Sequence, residues 1–255
     1  MDMSVRVLIW TETAGTPADA DSAEVYPDGM ETVLAQALTQ RGFDVETACL
    51  ADSEHGLSEA RLGATDVLIW WGHREHDAVS DDVVRRVQRR VLDGMGFIAL
   101  HSSHLAKPFL TLLGTGGTLR HRLAGKDGTP MSERGETERL WLVAPGHPIA
   151  EGVSDQIELP QEEMYGEPFD IPEPDELVFI SWFEGGEVFR SGCCWRRGRG
   201  RIFYFRPGHE TFATYWSGEI QHILANAVRW AAPPHQTGNL LRTERAPYPP
   251  SPLKR

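Results

Sequence analysis

The sequence predicts an α/β fold of three layers, α/β/α, built on a mainly parallel sheet and extended by an antiparallel hairpin. Two patterns carry this prediction. Strand-like and helix-like segments alternate through the first hundred residues, the order that covers both faces of a parallel sheet. Later, β-rich runs at 177–183 and 187–195 flank Glu184-Gly185-Gly186, which reads as a hairpin turn.

The first strand is Val5 to Trp10, and a Gly-, Pro- and Asp-rich loop follows it to Gly29. Met30, Val33, Leu34, Ala37 and Leu38 then share one helical face, and Gly42 stops the helix. Phe43 to Ala48 alternates as a second strand. A short helix at 58–62 leads to a third strand, Asp66 to Trp71.

Ser80 is placed as an N-cap with Asp81 and Asp82 in the first turn, where the helix dipole favours negative charge. Val83, Val84, Val87 and Val91 supply the buried stripe and Gly94 ends it. The central strand, Phe97 to Leu100, comes next.

From Gly114 to Arg139 the periodicity dissolves, Leu140 to Val143 restores a strand, and regularity is lost again around 159–167. Arg201 to Phe205 is the last strand. Ser217 and Glu219 open a final helix with Ile220, Ile223, Leu224, Ala227 and Val228 facing inward. After Ala232 the chain turns proline-rich, so the reading is one domain over 1–232 and a tail over 233–255. Such a tail forms no regular ladder and is expected to lie loosely or to drape over a neighbouring subunit, which makes a homo-oligomer an expectation.

Composition narrows the class of partner. A net charge of −12 argues against nucleic acid, because counterion release needs a basic surface. Arg196, Arg197, Arg199 and Arg201 straddle a Gly-rich turn and read as a solvated hairpin tip. No run is long enough to span a bilayer, and the amino terminus lacks a signal-peptide pattern, so no membrane partner and a cytoplasmic location are expected. Cys49 stands alone and Cys193 and Cys194 are adjacent in a strand, facing opposite ways, so all three read as buried thiols.

Chemistry is expected at the carboxyl ends of the parallel strands. Gly96-Phe97-Ile98-Ala99-Leu100 delivers His101, Ser102, Ser103 and His104 to such an end. The third strand likewise runs into Gly72-His73-Arg74-Glu75-His76, and the last into Arg206-Pro207-Gly208-His209-Glu210. The fold would therefore gather His73, His101 and His209 at one rim.

Three imidazoles with a carboxylate are a reasonable ligand set for zinc or a similar divalent ion. Glu163, in the acidic pair before Met164 and Tyr165, is the best carboxylate, as ligand or general base. Tyr165 is a candidate for holding a substrate hydroxyl, Ser102 for leaving room beside His101, and Trp71 for stacking on a sugar ring, a role that competes with core packing. His76 and His104 are second-tier candidates, and for His147, between glycine and proline, a turn role competes with binding.

Gly-Phe-Ile-Ala-Leu-His at 96–101, Gly-His-Pro-Ile at 146–149, Glu-Glu-Met-Tyr at 162–165 and Pro-Gly-His-Glu at 207–210 together resemble the trehalose-utilisation, or ThuA-like, family. The resemblance runs from Val5 to about Ala232 and implies the flavodoxin-like fold of the class I glutamine amidotransferases. It implies that His101 stands where an amidotransferase keeps its catalytic cysteine. The chain's cysteines lie elsewhere, so glutaminase chemistry has no thiolate to use.

What the resemblance implies for function is carbohydrate utilisation, on trehalose-like disaccharides or their oxidised keto derivatives. The expectation is a metal-assisted hydrolase or lyase with His101, His209 and Glu163 in the catalytic role. Two alternatives stand beside it: a non-catalytic sugar-binding or regulatory protein, and a serine hydrolase using Ser102 or Ser103. The serine reading is weakened because a nucleophile elbow wants glycines two positions either side, and Leu100 and His104 flank Ser102 there.

Overall fold

Long apolar runs at 67–71, 96–100 and 200–205 are buried along almost their whole length, which demands a cover on both faces of the sheet they form. The computed structural model describes residues 4–13, 20–122, 128 and 134–233; the tail from 234 onward lies outside the described residues. Eleven strands are described: β1 (Arg6–Thr11), β2 (Asp44–Cys49), β3 (Val67–Trp71), β4 (Gly96–Leu100), β5 (Arg120–His121), β6 (Glu136–Leu142), β7 (Gln156–Glu162), β8 (Tyr165–Gly166), β9 (Glu176–Phe183), β10 (Val188–Arg197) and β11 (Gly200–Phe205). The helices are α1 (Ala20–Val25), α2 (Met30–Thr39), α3 (Glu59–Ala64), α4 (Asp81–Leu92), α5 (Lys107–Leu113) and α6 (Gly218–Ala231).

Nine strands form one sheet in the order β2-β1-β3-β4-β11-β10-β9-β6-β7, and β5 pairs with β8 in a small antiparallel ribbon. The first five are parallel to one another, and β10, β9, β6 and β7 continue antiparallel. The expected hairpin is β9–β10, but the antiparallel part is twice that size. β6 starts earlier than the apolar run predicts, and β7 carries Pro160 with Glu158, Gln161 and Glu162. An edge strand tolerates proline and charge where a central one does not, so β7 hides its strand character in the sequence.

The pleat sorts side chains between two cores. Val7, Ile9, Ile69, Ile98, Phe203 and Phe205 pack with α2 and α6 on one face. Leu8, Trp10, Leu68, Phe97, Ala99 and Tyr204 pack with α3, α4 and α5 on the other. Each fully buried side chain of this size stabilises the fold by about 1.5–3 kcal/mol. Cys193 and Cys194 fall in opposite cores, both buried free thiols. Ser80 caps α4 as expected, its Oγ accepting from Val83 N at 3.4 Å; Ser217 precedes α6 without making such a bond.

Because β1, β3, β4 and β11 are adjacent and parallel, their carboxyl ends meet at one rim. Glu12, His73, His101 and the 206–210 segment follow those four strands directly. The topology, not sequence proximity, assembles the site.

Candidate functional site

β4 ends at Leu100 and the chain turns sharply through His101, which takes a positive φ of 49° before a 3-10 turn at His101–Leu105. A non-glycine residue in the left-handed region costs of order 1–3 kcal/mol and persists only where surrounding contacts enforce it. Here they do. His101 Nδ1 faces the carbonyl oxygen of Arg206 at 2.9 Å, and Tyr204 Oη donates to the carbonyl of His101 at 3.0 Å.

A carbonyl oxygen can only accept, so His101 Nδ1 carries the hydrogen and Nε2 presents a lone pair. That Nε2 lies 3.1 Å from Glu163 Oε2. Burial pushes the His101 pKa down to about 3, so the ring is neutral near pH 7. An imidazole lone pair and a carboxylate oxygen at this distance call for a proton or a cation between them.

His73 and His209 complete the cluster. One ring nitrogen from each of His73, His101 and His209 lies within 4.8 Å of the others. The rings sit 5.2 Å (His73 to His209), 5.3 Å (His101 to His209) and 6.2 Å (His73 to His101) apart, centre to centre. Burial, reinforced by the neighbouring His101, pushes His209 down to about 3 as well. Thr211 N donates to His209 Nδ1 at 3.2 Å and Thr211 Oγ1 lies 2.9 Å from the same nitrogen, so Nδ1 is the accepting nitrogen here, and ligation through Nε2 requires the other tautomer, with Nδ1–H turned onto Thr211 Oγ1.

Two buried, neutral imidazoles, His101 and His209, with the His73 ring and a carboxylate alongside, form a donor set that would fit a divalent ion such as zinc. With their ligand atoms within 4.8 Å of one another, His73, His101 and His209 would come onto one ion by small side-chain movements.

Ser102 Oγ lies 2.6 Å from His73 Nδ1 and 3.0 Å from Tyr165 Oη, which is 3.4 Å from His101 Nε2. His73 Nε2 in turn stands 3.7 Å from Glu210 Oε1. A cavity of about 280 Å³ opens here, with His73, Ser102, Glu163 and Tyr165 on its wall and Thr118 and His121 among the residues closing it. Among the described residues neither lysine nor arginine lines it.

Two expected site residues sit elsewhere in the architecture. Trp71 is 2% exposed and its indole N–H donates to the carbonyl of Gly208 at 3.1 Å, so it braces the His209 segment from the core instead of offering a ring face to a ligand. The physical reason is the cover of helices over both sheet faces; Trp10 and Trp70, stacked at 3.9 Å, are buried in the opposite core for the same reason. Ser103 is fully buried, donating to Trp70 O and accepting from Gly72 N, which leaves it no access to a substrate. His104 Nδ1 contacts the carbonyl of Gly117 at 2.6 Å, and His147 caps the 148–150 turn by accepting from Ile149 N.

Beneath the cluster lies a charged network that sequence reasoning missed. Arg206, Glu138 and Glu162 have fully buried side chains. The Arg206 guanidinium pairs with both oxygens of Glu138, reaches Glu162 at 3.3 Å and donates to the carbonyl of Glu163 at 2.7 Å. Glu162 Oε1 accepts from Gly208 N at 2.8 Å and from Thr214 Oγ1 at 2.5 Å. Burial disfavours the guanidinium charge, but Glu138 and Glu162 more than reverse this and hold its pKa above the ordinary value. Burial pushes the Glu138 carboxyl up to about 7 against the pull of Arg206.

A signal for this network was present. Glu138 shares the inward parity of Leu140 on β6, and a carboxylate on a core-facing position implies a buried partner.

The fold and the rim of strand-end residues define an α/β protein of amidotransferase-like architecture, with histidine at the turn after the central strand. The sequence matches the ThuA family, described as trehalose utilisation, over residues 6–231, and the chain belongs to that family. A search of curated proteins finds no match.

Among solved structures, a protein from Parabacteroides merdae described as ThuA-like is similar at TM-score 0.64 and 18% identity, covering 96% of this chain and 94% of that one. A cytoplasmic protein from Salmonella typhimurium is similar at TM-score 0.57 and 13% identity, covering 90% and 100%. A Thermoplasma acidophilum protein described as one component of a GMP synthase is similar at TM-score 0.51 and 14% identity, covering 90% and 94%. These likenesses establish the fold. Among the described residues no helix is long and apolar enough to cross a membrane.

Proposed function

We propose that this protein is a metal-assisted hydrolase or lyase of carbohydrate utilisation, acting in the cytoplasm on trehalose-like disaccharides or their keto derivatives. His73, His101 and His209 hold the ion, zinc or a similar divalent cation, and Glu163 completes the set or serves as base. The observation that carries the reading is the pair of His101 Nε2 and Glu163 Oε2, facing at 3.1 Å with His101 Nδ1 already committed to Arg206.

A divalent ion at this position supplies Lewis acidity, polarising a carbonyl or lowering the pKa of water. The chain supplies the rest. Glu163 is at the cavity wall, where its carboxylate can take a proton from water or from an acidic C–H. Tyr165 and Ser102 offer hydroxyls to substrate oxygens, and Arg206 holds the backbone of Glu163 in place. Among the described residues the wall carries no lysine or arginine, a lining that suits an uncharged polyhydroxyl ligand better than a sugar phosphate.

The test is turnover of trehalose-type disaccharides and their keto derivatives before and after chelation. Activity abolished by a chelator and restored by zinc supports the reading; turnover indifferent to chelation overturns it.

A second reading is favoured by one contact, Ser102 Oγ to His73 Nδ1 at 2.6 Å with Glu210 behind the ring. There Ser102 acts as nucleophile and His73 as its base. A serine-directed covalent probe that labels wild-type protein and spares Ser102→Ala supports this second reading, and absence of labelling removes it.

A further inference from the structure

The loop that carries His73 is held from below by a residue no motif singles out. Glu12 immediately follows β1, and its carboxylate is capped by three consecutive backbone N–H groups. Oε1 accepts from His73 N at 2.7 Å, Arg74 N at 3.0 Å and Glu75 N at 2.8 Å, and Oε2 accepts from Arg74 N at 3.0 Å. Successive N–H groups converging on one anion form a nest, and hydrogen bonds to an ionised acceptor are about twice as strong as neutral ones.

The approach is close. A Cβ on Gly72 would stand 3.2 Å from Glu12 Oε1, tighter than most side-chain contacts, so glycine at 72 leaves room for the carboxylate. Gly72 N is fixed in turn by Ser103 Oγ at 2.9 Å.

β1 is hydrogen-bonded to both β2 and β3, so Glu12 projects from the rigid middle of the parallel sheet onto a loop that has no ladder of its own. His101 needs no such help, being buried and tied to Arg206. His73 is the most exposed of the three imidazoles, with a side chain 22% accessible, and its ring meets Ser102 on one side and Glu210 on the other.

We propose that Glu12 is a positioning residue, fixing the backbone of the 73–75 loop so that His73 stands in register with His101 and His209. The proposal rests on the reading of these three histidines as ligands of one ion. Glu12 itself touches no reacting atom; its effect passes through His73.

The experiment is a double-mutant cycle on cobalt(II) affinity, measured by the visible spectrum of the full chain, with thermal melts to confirm folding. Glu12→Ala should weaken cobalt binding tenfold or more in the wild type and by less than threefold in a His73→Ala background. Glu12→Gln, which keeps one acceptor oxygen, should recover part of the loss. Equal weakening in both backgrounds, or none in either, overturns the proposal.

If wild-type protein binds no cobalt, the metal reading fails on its own, and positioning is then read from the histidine ring ¹⁵N resonances. Movement of the His73 signals in Glu12→Ala with those of His101 and His209 unmoved supports it. Unchanged His73 signals overturn it.

Discussion

Replacing Arg206 by methionine should be among the most damaging single changes in the described chain. The guanidinium, itself fully buried, makes two contacts to Glu138 and one to Glu162, both also fully buried, and one to the carbonyl of Glu163. Methionine fills most of the volume but leaves two carboxylates facing each other. Removing one partner from a buried ion pair typically costs about 3–5 kcal/mol, a large share of the roughly 5–15 kcal/mol that stabilises a domain.

The damage should depend on pH, with a definite sign. Burial pushes the folded Glu138 carboxyl up to about 7, above its unfolded value, so the folded state binds more protons than the unfolded chain through that range. Stability tied to this group is therefore full below the ordinary carboxylate pKa and is lost as pH rises through about 7. Without Arg206 the carboxyl rises further, so Arg206→Met should be weaker at pH 8 than at pH 6 by more than the wild type is. Urea unfolding at the two values measures this. A loss below about 1 kcal/mol at pH 8, or no difference between the two pH values, would refute the argument that the network is a desolvated charge cluster.

Three further outcomes follow from the geometry. Glu163→Gln should lower turnover by about 10²–10⁴-fold, the usual range for a general base, with the melting temperature little changed; turnover within threefold of wild type contradicts that role. His104, pushed by burial to about 4, stays neutral in the folded protein while the unfolded chain gains its proton near 6.5, so stability should fall as pH drops from 6.5 toward 4. His104→Gln should flatten that decline in urea midpoint, and an unchanged slope contradicts it. Gly117 has φ 65° and a Cβ there would collide with the carbonyl oxygen of His104, so Gly117→Ala should lower the melting temperature by several degrees, whereas an unchanged melt would show the 117–121 segment to be pliable.

The parallel half of the fold was legible because its signals are local. Apolar runs such as 67–71, the cap at Ser80 and the valine stripe of α4 each state their own structure. The antiparallel half was less so, since β7 is an edge strand whose proline and acids read as loop. For the site, strand-end position was enough to gather His73, His101 and His209, because a parallel sheet brings the ends of neighbouring strands together whatever their separation in the chain.

The supporting contacts followed different rules. Arg206 and Glu138 meet across 68 residues, and Glu12 meets the 73–75 backbone across more than 60, through pairings no periodicity encodes. Trp71 shows the opposite limit. Its place at a strand end resembles a rim position, but the pleat turns its ring inward beneath Gly208.

The most direct measurement is metal content by elemental analysis of untagged protein purified without chelators, beside His101→Ala and His209→Ala. The account predicts close to one equivalent of zinc or a similar divalent ion in the wild type and its loss in both folded variants. Wild-type protein without metal, or variants that retain it in full, would contradict the assignment of these histidines to one ion.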